Sequence, residues 1–143
     1  MYQIATENDV QRLLEYFEQN LKNCLYSYID LKKFGIENPN LKVYFHEKDG
    51  ICCSALKYYE GLQLFDADGK MDAEATAELI RHLNSHIVSS TVDVIEKLYP
   101  ILKDSYEMEQ GYVTEMLSMP VCEVSEEVRP AERGEYDEIA KLI

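Results

Sequence analysis

The chain has 143 residues, 46% of them hydrophobic, which is enough for one independent core that buries roughly two thirds of the surface of the unfolded form. Asp and Glu number 27 against 14 Lys and Arg, and a net charge of −13 repels phosphate backbones and anionic lipid, so no nucleic-acid partner is expected. The opening MYQIATENDV has no basic stretch before an apolar run, and no segment approaches the ~20 apolar residues that span a bilayer, so the expectation is a cytoplasmic protein with no membrane partner.

Tyr2 to Ala5 is a short strand candidate, and Thr6-x-x-Asp9 has the spacing of a capping box at a helix start. Val10, Leu13, Leu14, Phe17 and Leu21 then fall on one face of a helix, to be buried against a sheet. A second helix is read over 24–34, with Leu25, Tyr28 and Ile29 inward and Gly35 as a left-handed C-cap. Leu41 to His46 alternates as a half-buried strand, with Leu41, Val43 and Phe45 on one face. Asp49-Gly50 makes a turn into the apolar run of Ile51 to Tyr59, the pattern of a central strand covered on both sides, and Glu60-Gly61 leads to a strand at Leu62 to Phe65.

After the loop Asp66-Ala67-Asp68-Gly69, a helix is expected over 72–88 with Thr76, Leu79, Ile80, Leu83 and Ile87 inward. Ser89-Ser90-Thr91 caps another helix, which carries Val94, Ile95, Leu98 and Leu102 and which Pro100 is expected to kink or to end near Tyr99. Beyond Gly111, residues 112–119 read as a strand, Pro120 interrupts, and 121–124 extend the edge before a polar linker at 125–127. The fold class is therefore mixed α/β (α+β), a mostly antiparallel sheet flanked by helices.

Four cysteines, Cys24, Cys52, Cys53 and Cys122, show no CxxC spacing and read as reduced, mostly buried thiols. Glu78, His82 and His86 lie at i, i+4 and i+8, where two imidazoles a turn apart chelate zinc if a third ligand is supplied; without an HExxH pattern, a solvated face with a Glu78 to His82 pair explains them more cheaply. Asp66, Asp68, Gly69 and Asp72 hint at a calcium loop, but the EF-hand spacing is missing and a turn with an N-cap accounts for them. No metal is assigned.

Sliding the sequence on itself by 126 positions sets YQIATENDVQRLLEYF on VRPAERGEYDEIAKLI without a gap, with Ala5 on Ala131, Asp9 on Glu135, Leu13 on Ile139 and Phe17 on Ile143. Each segment reads as a strand, a polar turn and an amphipathic helix. The segment VRPAERGEYDEIAKLI resembles the opening of a GNAT-superfamily N-acetyltransferase domain, and the order of elements over the first 125 residues is similar to that of such a domain. VIEKLYPIL and GYVTEML resemble its late helix and strand. The resemblance divides the chain into a degenerate N-terminal GNAT-like domain over 1–124, a linker over 125–127, and the first strand and part of the first helix of a truncated second domain over 128–143.

The resemblance implies acetyl transfer from acetyl-CoA to a small amine acceptor, with the second domain of the same chain as partner and a homodimer as an option. It also implies a [QR]-x-x-G-x-[GA] loop ahead of the helix near Asp72, whose N–H groups hold the CoA pyrophosphate. This chain departs from that pattern. Its stretch is DADGKMDAEA, with Asp68, Gly69 and Lys70 at the expected CoA position and several carboxylates where phosphates would sit. Acetyl-CoA is thus expected in the full-length protein and not on residues 1–143. Tyr106 is the nearest match to the tyrosine that serves such enzymes as general acid toward the departing thiolate, ahead of Tyr99 and Tyr112; the bland reading is a tyrosine closing the helix over the core edge with its hydroxyl in water. Three functions follow: a non-catalytic domain shaping the acceptor cleft or dimer surface, an active acyltransferase domain with Tyr106 as acid, and an acidic interaction module for a basic protein or a polyamine.

Overall fold

The computed structural model describes residues 1–112 and 131–141, and the chain divides into two compact units, residues 1–110 and 111–143. In the first unit the period-two patterning builds one five-stranded sheet. Its strands are β1 (Gln3–Ile4), β2 (Leu41–Glu47), β3 (Ile51–Tyr58), β4 (Gly61–Asp66) and β5 (Ile87–Ser89), paired in the order β1-β2-β3-β4-β5. The first four are antiparallel neighbours, whereas β5 runs parallel to β4. The helices are α1 (Val10–Glu18), α2 (Leu21–Phe34), α3 (Ala73–Leu83) and α4 (Val92–Leu102).

The alternation in β2 puts Leu41, Val43 and Phe45 into a core with Leu56, Phe65 and the α1 and α2 residues Leu13, Phe17 and Leu31. On the opposite face Cys53, Ala55, Leu62 and Leu64 pack against Ala77 and Ile80 of α3 and Val94, Leu98 and Leu102 of α4. Because β3 contributes to both cores, its run from Cys52 to Leu56 is buried throughout. The mixed α/β class and the mostly antiparallel, helix-flanked sheet are as the sequence indicates.

Local expectations are corrected in α2 and at the end of α3. The second helix begins at Leu21, and Cys24 breaks its helical path with φ −138° and ψ 26°. That break turns Cys24, Ser27 and Leu31 inward and leaves Leu25 and Ile29 at 45% and 41% exposure. Polar anchors fix this rotation, since Ser27 Oγ donates to Gln63 Oε1 at 3.0 Å and Gln63 Nε2 donates to Asp30 Oδ2 at 2.9 Å. Gly35 does end the helix at positive φ (70°), but with an extended ψ of 162°, and its N–H reaches the Leu31 carbonyl.

The third helix stops at Leu83 because Asn84 adopts the left-handed conformation, φ 47° and ψ 47°, which Asn tolerates better than most residues. Ile87 therefore belongs to β5 and is 65% exposed, not part of a helical stripe. α4 runs through Pro100 to Leu102. The proline sits in the last turn, where it removes one hydrogen bond, and burial of Leu98 and Leu102 holds that turn in place. The expected strand over 113–119, the edge over 121–124, the linker over 125–127 and the opening strand over 128–130 lie outside the described residues.

In the second unit a three-residue 3₁₀ turn, Arg133–Glu135, leads into α5 (Tyr136–Ala140). It is the local counterpart of the Glu7–Asp9 turn that opens α1. Thr6 N–H donates to Asp9 Oδ2 at 2.9 Å and Glu132 N–H to Glu135 Oε2 at 2.8 Å, while the Asp9 and Glu135 N–H groups return to the Thr6 and Glu132 carbonyls at 2.9 Å each. The two segments aligned by the repeat thus start their helices by the same pair of bonds.

The rotated α2 separates two leucines, four and ten positions from its start. Leu31→Ala should lower the unfolding free energy by ~2–5 kcal/mol and Leu25→Ser by no more than ~0.5 kcal/mol, measured by urea denaturation.

Candidate functional site

Ligands of open α/β sheets gather at the carboxyl ends of parallel strands, where the pairing pattern changes. Here that place is the end of β4. The parallel ladder with β5 closes at Gln63↔Ser89, after which Ser90 Oγ donates to the Leu64 carbonyl at 2.8 Å. The chain then loops over 67–72 into α3, while α4 approaches the same loop through Lys97.

Asp66 ends β4 with its side chain 1% exposed. Its Oδ1 accepts the Lys70 N–H at 3.0 Å and its Oδ2 the Met71 N–H at 3.1 Å, and Lys97 Nζ stands 3.6 Å from Oδ2. Lys97 Nζ also donates to the Gly69 carbonyl at 3.3 Å. Gly69 takes φ +70°, the conformation that lets the loop curl its N–H groups around the carboxylate. Asp72 caps α3, accepting the Ala75 N–H at 3.0 Å, and Lys70 Nζ pairs with Asp68 at 3.1 Å.

These contacts test the loop as a holder of the CoA pyrophosphate, and the residues do not fit it. The donors that would cradle phosphate already hold a buried carboxylate of the chain itself. Asp66, Asp68, Asp72 and Glu74 face only two ammonium groups, Lys70 and Lys97. A pyrophosphate would have to evict Asp66 from its hydrogen bonds and then share the loop with it, both unfavourable.

Behind the loop lie polar groups that sequence reading missed. Tyr16 Oη donates to the Cys52 carbonyl at 2.9 Å and accepts the Ala67 N–H at 3.3 Å, pinning the loop's first residue to the sheet. Tyr2 Oη and Thr76 Oγ1 are hydrogen-bonded at 2.9 Å, and Cys53 Sγ donates to Tyr2 Oη at 3.5 Å. Burial pushes the pKa of both phenols far above the ordinary value, with neighbouring Cys53 adding in the same direction. Burial also moves the Cys53 thiol from 9.0 up to about 11. These groups stay neutral near pH 7 and serve as struts. No short motif announces them, because Tyr2, Cys53 and Thr76 come from three separate elements.

Tyr106 Oη donates to the Ser85 carbonyl at 2.5 Å, so its hydroxyl is tied to the chain and not left in water. Tyr99 is half-buried beside it and Tyr112 is 92% exposed. Since α3 ends at Leu83, His86 does not share a helical face with Glu78 and His82; its Nδ1 lies 3.4 Å from Glu60 Oε2. Asp66 and Asp72 each turn to backbone N–H groups, so the calcium-like cluster does not converge. Among the described residues no three His, Cys, Asp or Glu side chains are grouped to hold a metal ion, and no helix is long and apolar enough to cross a membrane. Cys24, Cys52 and Cys53 are buried free thiols, and Cys122 lies outside the described residues.

No protein-family model matches the chain, and no curated protein matches it. Among solved structures, the crystal structure of a probable acetyltransferase superposes on 84% of this chain and 98% of its own with a TM-score of 0.49 and 14% sequence identity. At that level of similarity the reading of the site rests on this chain's own residues.

Asp66→Asn keeps the size of the side chain but loses its charge and one acceptor oxygen, and it should cost ~1–3 kcal/mol in urea unfolding by leaving a buried N–H poorly paired. The Cys53 thiol, with its folded value above its unfolded one, contributes stability that is complete below about pH 9 and is lost as pH rises toward and past about 11. Tyr2 and Tyr16 act in the same direction. The urea midpoint should therefore fall on the alkaline side of pH 9, and Cys53 should stay unlabelled by iodoacetamide at pH 8 until the protein unfolds.

Proposed function

We propose that residues 1–110 are a GNAT-like domain of an N-acetyltransferase that does not itself hold acetyl-CoA. Its role is to wall the cleft for a small amine acceptor or to form a dimer surface, and a second such domain, opening at residue 128, takes up the coenzyme. The order of strand, two helices, three-stranded meander, helix, strand and helix supports this reading, as it follows the order of the family that the sequence resembles. The paired capping boxes at Thr6 and Glu132 support a tandem arrangement.

The observation that carries the proposal is the buried Asp66 carboxylate in the loop ahead of α3. A domain that kept the coenzyme would need those N–H groups free at the positive end of the helix. Here the chain supplies its own anion. Tyr106, which an active domain would use as an acid, instead spends its proton on the Ser85 carbonyl.

Calorimetric titration of the 143-residue protein with acetyl-CoA, at low and moderate salt, tests this. The expected result is no saturable heat up to about 1 mM ligand, a Kd range in which even weak sites register. Stoichiometric, saturable binding abolished by Lys97→Ala would overturn the proposal and favour an active acyltransferase domain. Salt-sensitive binding of a polyamine with no response to acetyl-CoA would instead favour an acidic interaction module.

A further inference from the structure

A second concave surface lies at the other end of α3 from the Asp66 loop, on the face of the sheet that α3 and α4 cover. The helices pack over β3, β4 and β5 there, with Tyr44 of β2 at the edge of that cluster. The result is a cavity of about 450 Å³ walled by Lys42, Tyr44, Lys57, Tyr59, Glu60 and His82, within the size range of small-molecule sites.

Its charge runs against that of the molecule. Lys42 and Lys57 are direct register partners on β2 and β3, so two cationic side chains leave the same face of the sheet as neighbours, a pairing of like charges that costs stability. In a chain with 27 acids and a net charge of −13, no described carboxylate pairs with either lysine. Lys57 Nζ donates to the Leu83 carbonyl, which fixes its ammonium against the C-terminal end of α3, and His82 stands in the same last turn. The Lys42 side chain makes no hydrogen bond or ion pair among the described residues. The single acid of the wall, Glu60, is engaged by His86 at 3.4 Å.

The aromatic groups add a second signature. Tyr44 is half-buried, and its hydroxyl has no hydrogen-bond partner among the described residues. Tyr59 holds φ 50° in the tight connection between β3 and β4, a position where glycine would be free of strain, and is 59% exposed at the rim. Tyr44 and Tyr59, the latter with its ring edge-on against Tyr58, thus line a concavity that also holds Lys42 and the Lys57 ammonium fixed at the Leu83 carbonyl.

We propose that this cavity binds a small organic anion, a carboxylate or phosphate attached to a planar group. The anionic head lies between Lys42 and Lys57 with His82 beside it, and the planar group rests on Tyr44 and Tyr59. The cavity is separate from the Asp66 loop, because α3, at 11 residues, puts roughly 16 Å between its two ends.

The test is an ¹H–¹⁵N NMR titration of the 143-residue protein with phenyl phosphate and, in a parallel arm, benzoate, which separates a phosphate from a carboxylate head. Neither probe contains coenzyme, so failure here leaves the reading of the Asp66 loop untouched. Saturable shifts confined to residues 40–44, 57–60 and 82–83 are expected with at least one probe. Lys42→Gln, a change at an exposed side chain, should weaken that binding about tenfold with an unchanged melting temperature, and His82→Gln should weaken it less. Absence of saturation at about 10 mM of both probes, equal affinity in Lys42→Gln, or shifts spread over lysines elsewhere would each overturn the proposal.

Discussion

A carboxylate buried at the end of a central strand must be paid for by hydrogen bonds and a counter-charge, and the way Asp66 meets that demand organises the site end of this molecule. Its two oxygens take the N–H groups of Lys70 and Met71, and Lys97 reaches it from α4. The strand, the loop that leads into α3, and α4 are thereby tied to one side chain. Tyr16 fixes the loop's entry from the opposite layer through Ala67 and Cys52. A loop bound on so many sides has one shape, and that shape already contains the negative charge a phosphate would bring.

Strong periodic signals in the sequence carried over into the structure. The alternation of Leu41, Val43 and Phe45 and the apolar run beginning at Cys52 set the sheet's faces directly, because a period of two leaves no choice of side. The box of Thr6 and Asp9 was legible because all its atoms lie within four residues. The rotation of α2 was not. Leu25 and Ile29 satisfy a helical stripe as well as Leu31 does, and only the distant Gln63, on β4, selects the face that carries Ser27. β5 was hidden for a related reason: His86, Ile87 and Val88 continue the periodicity of α3, and the left-handed Asn84 that ends it is a single-residue event.

The site was legible in composition and not in geometry. DADGKMDAEA announces an excess of carboxylates, but nothing in that string says that Asp66 turns inward while Asp68 and Asp72 face solvent or cap the helix. Lys97, on another helix, has no local signal at all. The same holds for the cationic cavity, where Lys42 and Lys57 become neighbours only through the β2–β3 register and His82 only through the point at which α3 stops.

The placement of charge along α3 has a further consequence. Asp66, Asp72 and Glu74 gather at its start, while Arg81, His82, Lys57 and Lys42 surround its finish. Even with Lys70 and Lys97 at the first end and Glu60 at the second, the two ends of α3 differ locally in charge in a way that the net charge conceals. A local difference of this kind biases the last few ångströms of an approach and not the long-range encounter, because at physiological salt it is screened within about 8 Å.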